Sequence, residues 1–188
     1  MRKFITILIL IFSAQFSAQA DDIKEFELEG ISIGDSLLDY FSKQEILASK
    51  ADWYNDDTYS TAMLTLGNFE IFKDIDISYL TSDKNFTIVG LAAIHSEANE
   101  DNCRSIQNEI VNDLSKIFDV KVIRETLIHP VDKSGESKVE VADFDLDDGS
   151  RVGVQCFFFS KNVDFQSGLK LSIVNEAYIV WNSTIAYK

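Results

Sequence analysis

Ser36 is the first residue in this chain placed where its side chain could do chemistry. It stands in Gly34-Asp35-Ser36-Leu37, after an expected strand and at the opening of an expected helix. A serine hydroxyl becomes a nucleophile only when a positioned base takes its proton. The two histidines, His95 and His129, follow Ala92-Ala93-Ile94 and Thr126-Leu127-Ile128, and neither has an aspartate three residues before it. Asp35 or Ser36 as a helix cap accounts for both residues without chemistry. Ser32, in Gly30-Ile31-Ser32-Ile33-Gly34, fits the spacing of a nucleophile elbow. That elbow needs a strand from a parallel sheet in front of it, which the short stretch before Ser32 cannot supply. The acidic run Asp143-Phe144-Asp145-Leu146-Asp147-Asp148-Gly149 suggests a Ca²⁺ loop. Counted from Asp143, however, position 6 holds Asp148 instead of Gly and position 12 holds Val154 instead of Glu. Its alternation puts Asp143, Asp145 and Asp147 on the wet face of a strand, with Asp148-Gly149 as the turn. Two lone histidines form no ligand set for a transition metal. No catalytic residue, metal or cofactor is assigned.

Binding residues are better represented. Trp53, Tyr54 and Tyr59 lie among Asp52, Asp56 and Asp57, either as the rim of a binding surface or as packing under a terminal helix. Phe157 and Phe159 alternate with Cys156 in a strand, so they point to the face opposite the cysteine and need a cover, from this chain or a partner. The two cysteines can be placed by periodicity. Cys103, Ile106, Ile110, Leu114 and Ile117 recur at helical spacing, while Val152, Val154, Cys156 and Phe158 share one face of a strand. Both thiols therefore point from apolar faces toward a common core, which predicts a Cys103–Cys156 disulfide. Two separately buried thiols are the alternative.

The elements that must position these residues come from a chain of 188 residues. Met1–Ala20 has the basic start (Arg2, Lys3), the apolar run Phe4 to Phe12 and the small-residue end Ser17-Ala18-Gln19-Ala20 of a secretory signal. Cleavage after Ala20 would release residues 21–188 as a single α+β globular domain in the periplasm or outside the cell, where a disulfide persists. No later apolar run is long enough to span a bilayer, so no membrane span is expected in the mature chain. With Arg2 and Lys3 removed, 15 basic residues face 31 acidic ones, a net charge of −16. Such a field repels nucleic acid and favours a basic partner, here a basic protein of the envelope.

Alternation and turn residues outline the rest. Lys24–Glu29 reads as a first strand, and Ser42-Lys43-Gln44-Glu45 as a capping box starting a short helix. Thr58–Leu66 and Phe69–Leu80 are joined by Gly67-Asn68, a two-residue hairpin turn, and Phe86–Ile94 follows. After the long helix come Val120–Ile128, Lys138–Leu146, Arg151–Phe159 and Leu169–Val174, and Asn175 can cap a final helix. Short turns between strands demand antiparallel pairing. The expected fold class is therefore α+β, an antiparallel sheet with helices packed on one face, in an order compatible with two successive helix-then-strands units.

Two resemblances bear on function. Gly34-Asp35-Ser36-Leu37 resembles the opening motif of GDSL-type esterases, which would make Ser36 the nucleophile of a serine ester hydrolase. The D-x-x-H and G-x-N-D patterns of that family are missing, and it needs a parallel sheet. Glu29-Gly30-Ile31-Ser32-Ile33-Gly34-Asp35-Ser36-Leu37 resembles a segment of small exported bacterial proteins of unknown function. The element order is similar to the fold of the β-lactamase-inhibitor protein and of SmpA/OmlA-type envelope lipoproteins. That likeness implies a non-catalytic domain that binds another envelope protein, with the hydrolase as the alternative. Mass spectrometry of the protein from its native envelope should find Asp21 as the first residue. A mature form that keeps Met1 or Arg2 would overturn the export reading.

Overall fold

The computed structural model describes residues 23–65, 72, 74–97 and 99–188. The segment read as a secretory signal and the expected Gly67-Asn68 turn lie outside them. Local chemistry starts the chain: β1 (Glu27–Leu28) and β2 (Ile31–Ser32) pair around Glu29 and Gly30, both at positive φ. That is the conformation a two-residue hairpin needs, and glycine adopts it without strain. Ser36 then caps a single helical turn, Leu37–Asp39, accepting from the Leu38 N–H. Ser42 and Glu45 close the capping box of α1 (Lys43–Ala48), each accepting from the other's backbone N–H.

Three antiparallel strands follow, β3 (Tyr59–Thr65), β4 (Asp74–Leu80) and β5 (Ile88–Ser96). The long helix α2 (Glu100–Leu114) is capped by Asn99 and carries Glu100 and Asp101 in its first turn, where the helix dipole favours them. Four more strands come next: β6 (Ile123–Ile128), β7 (Lys138–Asp145), β8 (Arg151–Phe158) and β9 (Gly168–Val174). Asn175 caps the last helix, α3 (Glu176–Thr184). The seven long strands form one antiparallel sheet in the order β3-β4-β5-β9-β8-β7-β6. The chain thus runs helix-then-strands twice, and the two meanders join where β9 returns beside β5.

The two-residue period of the strands divides this sheet into unequal faces. In β9, Leu169, Leu171 and Ile173 are buried, while Lys170, Ser172 and Val174 are half-exposed. The buried face is the core. Over β8 and β9 it is covered by α2, through Cys103, Ile110, Val111 and Leu114. Over the other half it is covered by the N-terminal segment, whose Ile23, Phe26, Ile31, Leu37 and Ile46 join the same cluster. Phe118, just beyond α2, bridges the halves with its ring 5.7 Å from Phe26 and 5.9 Å from Phe144.

Sequence reasoning put all the helices on one face. The side chains of α1 and α2 do join the core, but Tyr178 of α3 accepts a hydrogen bond from Ser78 at 3.1 Å, and Ser78 alternates with the core residues Ile77 and Tyr79. α3 therefore meets the second face. Its Tyr178 and Trp181 each have a polar tip, which suits a face with hydroxyls to bond.

The Cys103–Cys156 disulfide is formed and fully buried, joining α2 to β8. Beside it Gln107 donates from Nε2 to the carbonyls of Glu140 and Val154, at 2.9 and 2.8 Å, so the one buried polar side chain of the helix is satisfied by two strands. Closing a loop across a separation of 53 residues stabilises the fold by about 4 kcal/mol in the chain-entropy account. Cys156→Ser should lower the melting temperature under non-reducing conditions by roughly 10 °C. An unchanged melting temperature would mean that the bond contributes nothing.

Candidate functional site

Cross-strand register arranges the second face in rows. One row runs Asp76, Ala92, Ser172, Gly153 and Asp143 across β4, β5, β9, β8 and β7. The three middle residues are small, so two carboxylates stand at the ends of a low floor. In the next row Lys170 lies between Ile94 and Gln155. Gly153 lets the neighbouring side chains approach closely, since a Cβ there would sit 2.8 Å from Asp143 Oδ1 and 3.1 Å from Ser172 Oγ and would force them to shift.

These charges are poorly satisfied. The Asp143 side chain is only 9 % exposed; its Oδ2 is 3.4 Å from Arg151 Nη1, and its buried Oδ1 has no hydrogen-bond partner. A buried acceptor left unpaired costs about 1–3 kcal/mol. Arg151 is itself held by Asp145, to which its Nε donates at 2.6 Å. Burial pushes the Asp143 carboxyl up to about 6 against the pull of Arg151. Burial also pushes Asp76 up to about 6, against the pull of Lys170. The Lys170 ammonium is held below the usual lysine range by burial, opposed by Asp76 and Asp143. Its Nζ lies 4.9 Å over the Phe157 ring, in cation–π contact. Among the described residues the side chains of Asp76 and Lys170 have neither a hydrogen bond nor an ion pair.

Phe157 opens an aromatic group at one end of the face. It stacks on Phe159 at 5.9 Å, Phe165 follows at 5.3 Å from Phe159, and His129 stands 5.1 Å from the same ring. Phe165 is 59 % exposed. Burial and then the nearby Lys170 charge hold the imidazole of His129 below its usual range. The loop that carries His129 is fixed by Asp132, whose carboxylate accepts from the hydroxyls of Ser134, Ser137 and Ser160. These bonds keep that carboxyl well below the usual range and tie the loop to Ser160, next to Phe159.

Trp53, Tyr54 and Tyr59 gather at the other end, against α3. The Tyr54 and Tyr178 hydroxyls are hydrogen-bonded at 2.7 Å, and Trp181 Nε1 donates to Asp56 at 2.6 Å. The Trp181 ring lies 4.8 Å from Tyr54 and 5.0 Å from Tyr59. Burial raises the Tyr54 hydroxyl above the ordinary tyrosine range, as expected for a residue anchoring a helix. Trp53 stays 44 % exposed.

The structure therefore divides the five aromatic residues singled out from the sequence. Tyr54 and Tyr59 hold α3, while Phe157 and Phe159 border the charged row. Sequence reasoning missed Asp76, Lys170 and Phe165, weighed His129 only as a base for Ser36, and read Asp143 as wet. For Asp76 and Lys170 the one local signal is a charge at an alternate position of a strand; His129 and Phe165 lie in loops and carry none. Ser36 donates to the Asn85 carbonyl at 2.8 Å while capping its turn, so both roles of its hydroxyl are structural. No group of three or more His, Cys, Asp or Glu side chains among the described residues gathers as a metal site. No helix among them is long and apolar enough to cross a membrane. Compared with family models, curated proteins and solved structures, the chain matches none.

A carboxyl raised by folding binds its proton more tightly in the native state. Native stability therefore falls as pH rises from about 4, the unfolded value, to about 6, the folded one, and is level above that. Asp143→Asn should remove this loss, raising the melting temperature by a few degrees at pH 7.5 with little change at pH 4. Equal effects at both values would mean that Asp143 is not strained by its ionisation.

Proposed function

We propose that the protein is an exported, non-catalytic module of the envelope that binds a basic protein through the second face of its sheet. One observation carries this reading: a seven-stranded sheet with only one fully covered face, whose other face sets under-bonded carboxylates beside an exposed aromatic group. Layered folds normally cover both faces of a sheet or leave one polar throughout. A half-exposed face that mixes Phe157, Phe159 and Phe165 with charge has the composition of an interface, with aromatic anchors inside a polar surround. The net charge of −14 for the whole chain steers a basic partner toward it. The secretory-type start of the chain supports the periplasm or the cell exterior as the location. The likeness of the element order to β-lactamase-inhibitor protein and SmpA/OmlA-type domains favours protein binding.

A hydrolase built on Ser36 finds no support in the geometry. The sheet is antiparallel throughout. Ser36 is bridged to Thr87, just before β5, and His95 lies eight residues further along the chain, roughly 26 Å away in extended backbone.

The test is capture of envelope proteins on the immobilised mature protein at low salt and again at about 0.5 M, where charges are screened beyond a few Å. A basic protein should be held at low salt, released at high salt, and captured about tenfold less by Phe157→Ala. Ser36→Ala should bind normally and lose about 1 kcal/mol of stability as a missing cap. Recovery of nothing, or of a partner indifferent to both salt and Phe157→Ala, would refute the reading.

A further inference from the structure

Asp76 and Asp143 end one row of the second face, and Lys170 stands in the next row on the strand midway between them, so that charge alternates across the face. Between β4 and β7 lie β5, β9 and β8, so the two carboxylates are separated by four strand spacings, roughly 19 Å at about 4.8 Å each. Lys170 is carried by β9, the middle strand. Neighbouring charges strengthen each end: Asp74 stands near Asp76, and Asp145 and Glu125 stand near Asp143, offset in part by Arg151. Asp143 Oδ1 is buried without a hydrogen-bond partner among the described residues, and Asp76 and Lys170 make neither a hydrogen bond nor an ion pair among them. A buried polar group left so calls for an explanation, which a partner's donor would supply. A small molecule satisfying one carboxylate cannot reach the other across roughly 19 Å. The spacing selects a macromolecular surface, and the sign pattern says what that surface must carry.

We propose that the face receives a protein surface bearing two basic side chains, one for Asp76 and one for Asp143, with an acidic side chain between them that meets Lys170. This rests on the binding function proposed above and adds the register of charge that selects the partner. The absence of a side chain at Gly153, where a Cβ would sit 2.8 Å from Asp143 Oδ1, leaves room for a partner's donor to approach that oxygen. Phe157 packs beneath the Lys170 ammonium, so the anion that draws this ammonium outward also uncovers the aromatic anchor. A wrong sign opposite any of the three charges opposes binding, which is how such an arrangement gives specificity.

Lys170→Glu separates this arrangement from general attraction, because it makes the protein more acidic by two charges. Net charge alone predicts tighter binding of any basic protein, whereas the alternating charge predicts weaker binding of the matched one. The expected result is at least a tenfold loss in low-salt capture of the basic envelope protein, identified by mass spectrometry. Binding of poly-L-lysine, a probe of net charge alone, should rise or stay level. Asp76→Lys should also weaken capture about tenfold. Lys170→Met keeps the stem and the packing on Phe157; it should lose about threefold and serves if Lys170→Glu does not fold, as judged by circular dichroism. Capture that is unchanged or stronger in Lys170→Glu, or unchanged in Lys170→Met, overturns the charge register and leaves the binding function standing. Failure of the unaltered protein to capture any basic protein overturns both.

Discussion

Cys103 is carried on the buried side of the long helix and Cys156 on a strand inside the sheet, so the bond between them determines which face of the sheet is dry. With α2 fixed over β8 and β9, the two-residue period sends Val152, Val154, Leu169, Leu171 and Ile173 into the core. The same period leaves Gly153, Gln155, Phe157, Lys170 and Ser172 on the other side. The N-terminal segment completes the cover of the core, because its apolar residues have no other surface large enough to bury them. The properties of the second face are thus what remains once helix and sheet are joined.

That remainder is not the plain wet face of an ordinary antiparallel sheet. A solvated face carries charges that water and neighbours satisfy, and it does not push carboxyls toward neutrality. Here two of them are pushed up to about 6, and one buried oxygen has no hydrogen-bond partner among the described residues. Elsewhere the molecule meets its polar groups well. Asp132 gathers three serine hydroxyls, Arg104 makes a two-pronged contact with Glu140, and Gln107 satisfies two strand carbonyls. The shortfall is concentrated on one surface, which is the expected position of a functional one.

Much of the framework was legible because its causes are local. Helical spacing put Cys103 on an apolar face, strand spacing did the same for Cys156, and their bond followed. Ser42 with Glu45, and Asn175 ahead of α3, announced helix starts through side chains that reach only three residues. The turn at Asp148-Gly149 was equally readable, with Gly149 at positive φ. The charged row was not legible. Its members come from five strands, and what aligns them is the return of β9 to lie between β5 and β8, a pairing that no local pattern encodes. Asp143 read as wet because alternation tells which face a side chain is on, not what crowds it there. The side of the sheet taken by α3 escaped for a related reason. Its tyrosine and tryptophan suit an apolar core and a hydroxyl-bearing face alike, and only the hydrogen bonds to Ser78 and Tyr54 distinguish them.

The central claim is that the second face is held short of partners in the free protein. Side-chain carboxyl carbons followed by NMR through a pH titration test it most directly. Asp76 and Asp143 should titrate with midpoints near 6, clear of the other aspartates, and both should move down when a cationic partner is bound. Midpoints near the usual aspartate value of about 4 in the free protein would show that solvent or neighbours already satisfy these groups, and would contradict the account.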